Sequence, residues 1–99
     1  MINHVVLFKL KDFPDEEKAK VLAELKGLLE GLKGKIDELK YIEVGVNYEL
    51  DAKSFDIALN SHFETMEDLD VYRVHPEHKK VLGRILETTV SRAAVDYYF

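Results

Sequence analysis

The chain has 99 residues, of which 46% are apolar and only seven are Gly or Pro, which predicts one globular domain with a real core and excludes disorder. Its net charge is -5, with acids and bases interleaved and no basic run, so nucleic acid is not an expected partner. The absence of cysteine excludes disulfides, thiol chemistry and thiolate metal sites. Met1 leads straight into a strand-like run without room for a signal peptide, and no apolar stretch approaches a membrane span, so we expect a cytoplasmic domain with no membrane partner.

The first half of the chain predicts a strand, a helix and a second strand. Residues 2–10 are rich in β-branched and aromatic side chains on both faces, which is typical of a strand covered on two sides. Pro14 favours a helix start, and leucines and valines recur at helical spacing from residue 15 to about 32. Gly34 is the expected stop after that helix. Residues 39–48 predict the second strand.

The second half predicts a strand, a broken helix and a last strand. Residues 55–64 alternate apolar and polar positions, and a connection over residues 47–54 precedes them. A capping threonine opens a helix over 65–74. A second helix follows over 76–86, and residues 90–98 predict the closing strand.

The order β-α-β-β-α-β, with the second helix split, predicts an α+β fold in one domain over residues 1–99. Two such halves form a four-stranded antiparallel sheet with the helices on one face. The opposite face is then unusually apolar, with Val5, Leu7, Tyr41, Ala58, Ala93, Val95 and Tyr97. An apolar patch of that size is typical of an interface, so we expect a homodimer that pairs sheet against sheet. The alternative is a monomer with a shorter fourth strand.

Residues 72–78, Tyr-Arg-Val-His-Pro-Glu-His, place a phenol and two imidazoles at the helix break. Pro76 cannot continue the preceding hydrogen-bond ladder, but it suits the first turn of a new helix. The bend allows Tyr72, His75 and His78 to converge on one point. The segment is therefore either a reaction centre or a well-packed elbow.

Alternation of side chains along the predicted strands places further polar groups near the helix break. His4, Ile57 and Asp96 are predicted to face the helices. A pocket between sheet and helices then holds two imidazoles, a phenol and a carboxylate among apolar neighbours: Val6, Phe8, Leu59 and Leu82. The predicted ligand-binding residues are His4, His75 and Phe8. Such a set suits proton abstraction next to a carbonyl, while the alternative is a buried polar network that satisfies its own hydrogen bonds.

A metal site is a weaker alternative. His75 and His78 stand three residues apart, and Glu77, His4 or Asp96 would have to complete the ligand set. The pattern lacks a second spaced pair, and the intervening proline alters the geometry. We therefore expect no metal and no cofactor. The chain also lacks a glycine-rich phosphate loop and a serine-nucleophile elbow.

Four segments together resemble the stress-responsive A/B barrel family, also called Dabb. They are Asn3-His4-Val5-Val6-Leu7-Phe8, Phe55-Asp56-Ile57-Ala58-Leu59 with Phe63-Glu64-Thr65, the segment from Tyr72 to His78, and Val95-Asp96-Tyr97. The tyrosine followed by His-Pro-x-His is the most specific part, and the likeness covers nearly the whole chain. It implies a ferredoxin-like protomer and a homodimer whose two sheets form a dimeric α/β barrel.

The resemblance does not imply one activity, since most members have no assigned reaction and some look like stable stress proteins. A plant polyketide cyclase in the family runs an aldol-type ring closure with residues that match Tyr72 and His78. Asp96 matches the carboxylate that supports the histidine, whereas Ile57 departs from an imidazole-bearing residue of that cyclase's pocket. The implied catalytic set is thus Tyr72 as oxyanion donor, His78 as base and Asp96 as its orienter.

Three functions follow as expectations. The first is a homodimeric Dabb-domain protein of unassigned activity, without catalysis, whose pocket binds a small carbonyl-containing ligand or which serves in stress tolerance. The second is a cofactor-free, polyketide-cyclase-like lyase that uses His78 and Tyr72. The third, by fold analogy alone, is a quinol-type monooxygenase.

Overall fold

A computed structural model describes residues 1–48 and 53–99 of the chain. Its elements are β1 (Ile2–Leu10), α1 (Asp15–Glu30), β2 (Tyr41–Val46), β3 (Ile57–Phe63), α2 (Met66–Val74), α3 (Pro76–Thr88) and β4 (Thr89–Tyr98). The order is the predicted one, and each end lies within two residues of its predicted position. Residues 49–52 of the predicted connection lie outside the described residues.

The four strands form one antiparallel sheet in the order β2-β3-β1-β4. Val6 in the middle of β1 pairs with Leu59 of β3 on one side and with Ala94 of β4 on the other. The even positions of β1 are buried against the helices, which all pack on this face. The strand order and the single helical layer define a ferredoxin-like fold, which confirms the predicted fold class.

Helix α1 begins after Pro14 with three acidic residues in its first turn, which stabilise the positive end of the helix dipole. It buries Val21, Leu22, Leu25 and Leu29. The helix ends at Glu30, two residues before the predicted end. Gly34 is therefore not its stop; it lies in the following turn with φ of +91°, a conformation that glycine adopts without strain.

Asp56 joins three elements at the far end of the sheet. Its side chain is buried, and its Oδ2 accepts a hydrogen bond of 2.8 Å from the backbone N–H of Leu10, at the end of β1. Lys18 Nζ of α1 lies 3.0 Å from Oδ1, within ion-pair distance although not aligned as a hydrogen bond. The carboxylate therefore ties α1 and the end of β1 to the start of β3.

The opposite face of the sheet has the predicted apolar character. Cross-strand pairs place Val5 beside Val95 and Leu7 beside both Ala58 and Ala93. His62 stacks on Tyr41, with ring centroids 4.5 Å apart. Much of this surface is open, and Val95 is 61% exposed. Among residues 1–48 and 53–99, no helix is long and apolar enough to cross a membrane.

Candidate functional site

The helix break forms as the proline predicts. Helix α2 ends at Val74, His75 adopts an extended backbone conformation, and Pro76 occupies the first turn of α3. The His75 side chain accepts a hydrogen bond of 3.1 Å at Nδ1 from the backbone N–H of Glu77. It thereby caps α3 and does not line the cavity described below, so the structure does not bring His75 together with the other predicted site residues.

Tyr72 is the most buried polar side chain of the site, with 1% of its surface exposed. Its ring packs 4.9 Å from Phe63 and 4.5 Å from His78, and 6.3 Å from His4, measured between ring centroids. Its hydroxyl is buried and makes no hydrogen bond among the described residues. Burial raises the pKa of Tyr72 to about 12, so the phenol keeps its proton at neutral pH and acts as a donor.

The register of the sheet places Asp96 of β4 directly opposite His4 of β1. The Asp96 Oδ1 lies 2.5 Å from His4 Nδ1, and its Oδ2 accepts a hydrogen bond of 2.8 Å from Arg73 Nη2. Both carboxylate oxygens are thus engaged away from His78. The prediction that Asp96 orients His78 is therefore wrong, because the strand pairing brings the carboxylate to the other imidazole.

Burial lowers the pKa of His4, and the hydrogen bond and charge of Asp96 only partly oppose this. The imidazole is therefore neutral at pH 7. Its Nδ1–H donates to the carboxylate, which leaves Nε2 as the unprotonated nitrogen. His4 has the carboxylate support that was predicted for His78.

His78 is held by the backbone instead of by a carboxylate. Its Nδ1 lies 3.1 Å from the carbonyl oxygen of Arg73. Since a carbonyl only accepts, Nδ1 carries the hydrogen and Nε2 the lone pair. Burial lowers the pKa of His78, the Arg73 carbonyl opposes this, and the charges of His4, Arg92 and His75 lower it further. The neutral ring is a base at neutral pH.

A cavity of about 540 Å³ lies between the helix-facing side of the sheet and the helices. Its polar lining comprises His4, Tyr72, Arg73, His78 and Arg92, with Thr89 and Ser91 near Arg92 in sequence. Its apolar lining includes the predicted Val6, Phe8, Leu59 and Leu82. Asp96 stands behind His4, and Ile57 is a core residue that does not line the cavity.

Sequence reasoning missed the two arginines. Arg73 lies within the segment from Tyr72 to His78, so its position in the sequence indicated that it could belong to the same site. Arg92 shares the strand face of Asp96, four residues away, and strand parity would have placed it on the helix side. Within the described part of the chain, no group of three or more His, Cys, Asp or Glu side chains is placed to hold a metal ion.

The fold and the cavity define a ferredoxin-like domain with an internal polar site. The family described as Stress responsive A/B Barrel Domain, or Dabb, matches residues 2–99, and the chain belongs to this family. The resemblance seen in the sequence is thereby confirmed.

Individual relatives support the same assignment. The chain is 30% identical over 100 residues to a stress-response A/B barrel domain-containing protein, DABB1, of Arabidopsis thaliana, covering 98% of this chain and 46% of that protein. The chain thus spans about half the length of this relative. An uncharacterized protein of Streptomyces coelicolor is 34% identical over 79 residues, covering 80% of each chain.

Solved structures agree with the fold. A dimeric protein of unknown function with a ferredoxin-like fold from Bacteroides fragilis is 42% identical, with a TM-score of 0.90, covering 99% of this chain and 95% of that one. A hydroxynitrile lyase from Passiflora edulis shares the fold at 16% identity, with a TM-score of 0.74, covering 97% of this chain and 90% of that one.

Proposed function

We propose that this Dabb domain binds a small carbonyl-containing ligand in the cavity between sheet and helices. The observation that carries the proposal is the Tyr72 hydroxyl, which is buried and lacks a hydrogen-bond partner among the described residues. A buried hydroxyl left unpaired costs about 1–3 kcal/mol. A carbonyl oxygen of a ligand would accept from it and recover that cost.

The cavity suits such a ligand in size and lining. Its volume of about 540 Å³ is typical of small-molecule sites. Apolar side chains line much of the wall, and the ring centroids of His4 and His78 lie 6.3 Å and 4.5 Å from that of Tyr72. An apolar body with one carbonyl group matches this division.

The test is the affinity of a simple methyl ketone, 2-octanone, for the Tyr72→Phe variant. Loss of the hydroxyl removes one hydrogen bond, so we expect the dissociation constant to rise roughly five- to tenfold. The His78 imidazole resonances in NMR titrations report binding inside the cavity. Tyr48→Phe is the matched control, because Tyr48 is 91% exposed and does not line the cavity. Equal affinity of Tyr72→Phe and the unaltered protein contradicts the proposal.

A second candidate is a cofactor-free lyase of the aldol type, favoured by the tautomer of His78. Its Nε2 lone pair would take a proton from the carbon next to the ligand carbonyl. The electron pair of that C–H bond would move to the carbonyl oxygen as an enolate, which the Tyr72 hydroxyl would stabilise. The enolate carbon would then form a bond to a second carbonyl carbon, and the imidazolium would return its proton to the new alkoxide. His4 is the more enclosed imidazole, so His78 has better access to a ligand.

Exchange of hydrogen for deuterium next to the carbonyl tests this step without knowledge of the substrate. We expect the protein to accelerate exchange of 2-octanone in D₂O, and His78→Gln to lower that rate roughly a hundredfold. His62→Gln is the control, because His62 lies on the opposite face of the sheet. If 2-octanone exchanges no faster with the protein than in buffer alone, the lyase candidate is contradicted and only the ligand-binding proposal remains.

We also propose that the chain forms a homodimer through the sheet face opposite the helices. The face is apolar, and the buried oxygens Asn3 Oδ1 and Asn60 Oδ1 on it lack hydrogen-bond partners among the described residues. A second copy would cover the exposed apolar side chains of this face. The similar protein from Bacteroides fragilis is described as dimeric.

Sedimentation of two matched variants tests the dimer. Val95 on the sheet face is 61% exposed and Val74 at the helix break is 64% exposed, so an aspartate at either position is similarly tolerated by an isolated chain. We expect Val95→Asp to sediment as a monomer at micromolar concentration and Val74→Asp to remain dimeric. A monomeric parent protein contradicts the proposal.

The quinol-monooxygenase alternative and the cytoplasmic location stay predictions from the sequence. Oxygen consumption with a quinol substrate tests the first. Fractionation of cells that produce the protein tests the second.

A further inference from the structure

The cavity is locally basic in an acidic protein. The chain carries a net charge of -5, yet the charged side chains of the described lining are Arg73 and Arg92, with no Asp or Glu, and its two histidines are neutral at pH 7. Asp96, behind His4, is already shared by His4 and Arg73. Since a cleft lined by one sign of charge concentrates ligands of the other sign, this lining favours an anion.

Arg92 is the unpaired charge of this lining. Its position on β4 lies opposite Phe8, on the helix-facing side of the sheet. The structure of residues 1–48 and 53–99 records no hydrogen bond or ion pair for its side chain, whereas Arg73 binds both Asp70 and Asp96. The positive charge of Arg92 lowers the pKa of both His4 and His78, although burial is the largest cause in each case. Arg92 is an exposed residue of the cavity lining, so its guanidinium is available to a ligand at the solvent-accessible part of the wall.

Two donors of the lining lack a partner among the described residues. The Tyr72 hydroxyl is buried without a partner, and Arg92 presents a planar guanidinium with five N–H groups. A carboxylate would accept from both, and guanidinium matches its geometry with two parallel hydrogen bonds. The lining also includes the aliphatic side chains of Leu82, Ile85 and Val90.

We infer that the cavity selects aliphatic carboxylates over neutral carbonyl compounds, and that Arg92 is the residue that determines this specificity. The inference rests on the proposed ligand-binding function of the same cavity. It specifies a ligand with a negatively charged carboxylate at one end and an aliphatic chain as the rest of the molecule. Tyr72 would contact one carboxylate oxygen and Arg92 would neutralise the charge.

Octanoate and its neutral analogue octanamide are the probes, since they share the chain and the carbonyl and differ in charge. Each is titrated at pH 7.5 into the unaltered protein, Arg92→Gln and Lys79→Gln, with the His78 imidazole resonances as the readout of the cavity. Lys79→Gln is the matched control, because it removes one positive charge next to His78 from a residue that does not line the cavity.

We expect octanoate to bind roughly tenfold more tightly than octanamide, as a charge-assisted hydrogen bond at a partly exposed site implies. Arg92→Gln removes that advantage and leaves octanamide unchanged, while Lys79→Gln changes either affinity less than about twofold. Equal affinities in the unaltered protein, or an octanoate affinity insensitive to Arg92→Gln, overturn the inference and leave the proposed function standing. If neither probe binds, the proposed function and the inference are both overturned.

Discussion

Burial favours the neutral forms of Tyr72, His4 and His78 in the cavity. The pKa of Tyr72 is raised and those of His4 and His78 are lowered, with desolvation as the first cause in all three. All three side chains are therefore neutral at pH 7. One buried donor and two imidazole bases then lie next to each other.

The two histidines make the stability of the fold depend on pH. In the unfolded chain each titrates near 6.5, and in the folded chain each titrates lower. Between these values the unfolded state binds more protons, so the free energy of unfolding falls as the pH falls below about 6.5 and stops changing below the lowered folded pKa.

The measurement is urea unfolding between pH 7.5 and pH 5. We expect His78→Gln to show a smaller loss of stability over this range than the unaltered protein. Glu24 and Glu30, whose pKa values lie below 4.5 because of the hydrogen bonds from Arg84 and Lys26, do not titrate in this window. A free energy of unfolding that is constant from pH 7.5 to pH 5 would contradict the prediction.

Asp56 is the residue on which we expect the fold itself to depend most. Asp56→Asn leaves Lys18, 13% exposed at its side chain, without its counter-charge, and we expect a loss of about 3 kcal/mol in the free energy of unfolding. The control is Glu87→Gln, which breaks an exposed ion pair with Arg84 and costs less than about 0.5 kcal/mol. Similar losses in both variants would show that the Asp56 pair adds no more than a surface contact.

At the scale of elements, the break between α2 and α3 positions the site. Tyr72 belongs to the last turns of α2 and His78 to the first turn of α3, so only a bend brings their rings to 4.5 Å. Pro76 makes the bend and His75 stabilises the start of the new helix. The local sequence therefore determines the relative placement of the phenol and the imidazole.

His75 provides a test of this element. His75→Ala removes the side-chain acceptor at the start of α3, and we expect it to cost about 1 kcal/mol in the free energy of unfolding. His75→Asn keeps an acceptor suited to a helix start and should retain most of the stability. Affinity for 2-octanone should be the same in both variants, because His75 does not line the cavity. A loss of affinity with unchanged stability would instead support the predicted role of His75 in ligand binding.

At the scale of the whole molecule, the sheet has one face covered by helices and one apolar face open in a single chain. A dimer couples folding to association, so its melting temperature rises with protein concentration. We expect a rise of roughly 4 °C for a tenfold increase in concentration. Val95→Asp should abolish this dependence, and Val74→Asp should retain it. A melting temperature independent of concentration would show that the open face is not an obligate interface.

The sequence by itself determined the order of the elements, their approximate ends and the faces of the strands, because these follow from local periodicity and from Pro76. It also brought His4, Phe8, Tyr72 and His78 to one cavity, since strand parity and a helix break require no knowledge of long-range pairing. Only the tertiary structure decided which imidazole receives Asp96. That choice depends on the register between β1 and β4, two strands separated by most of the chain. The tertiary structure likewise decided that His75 caps a helix, because a side chain with several available partners takes the one that packing places within reach.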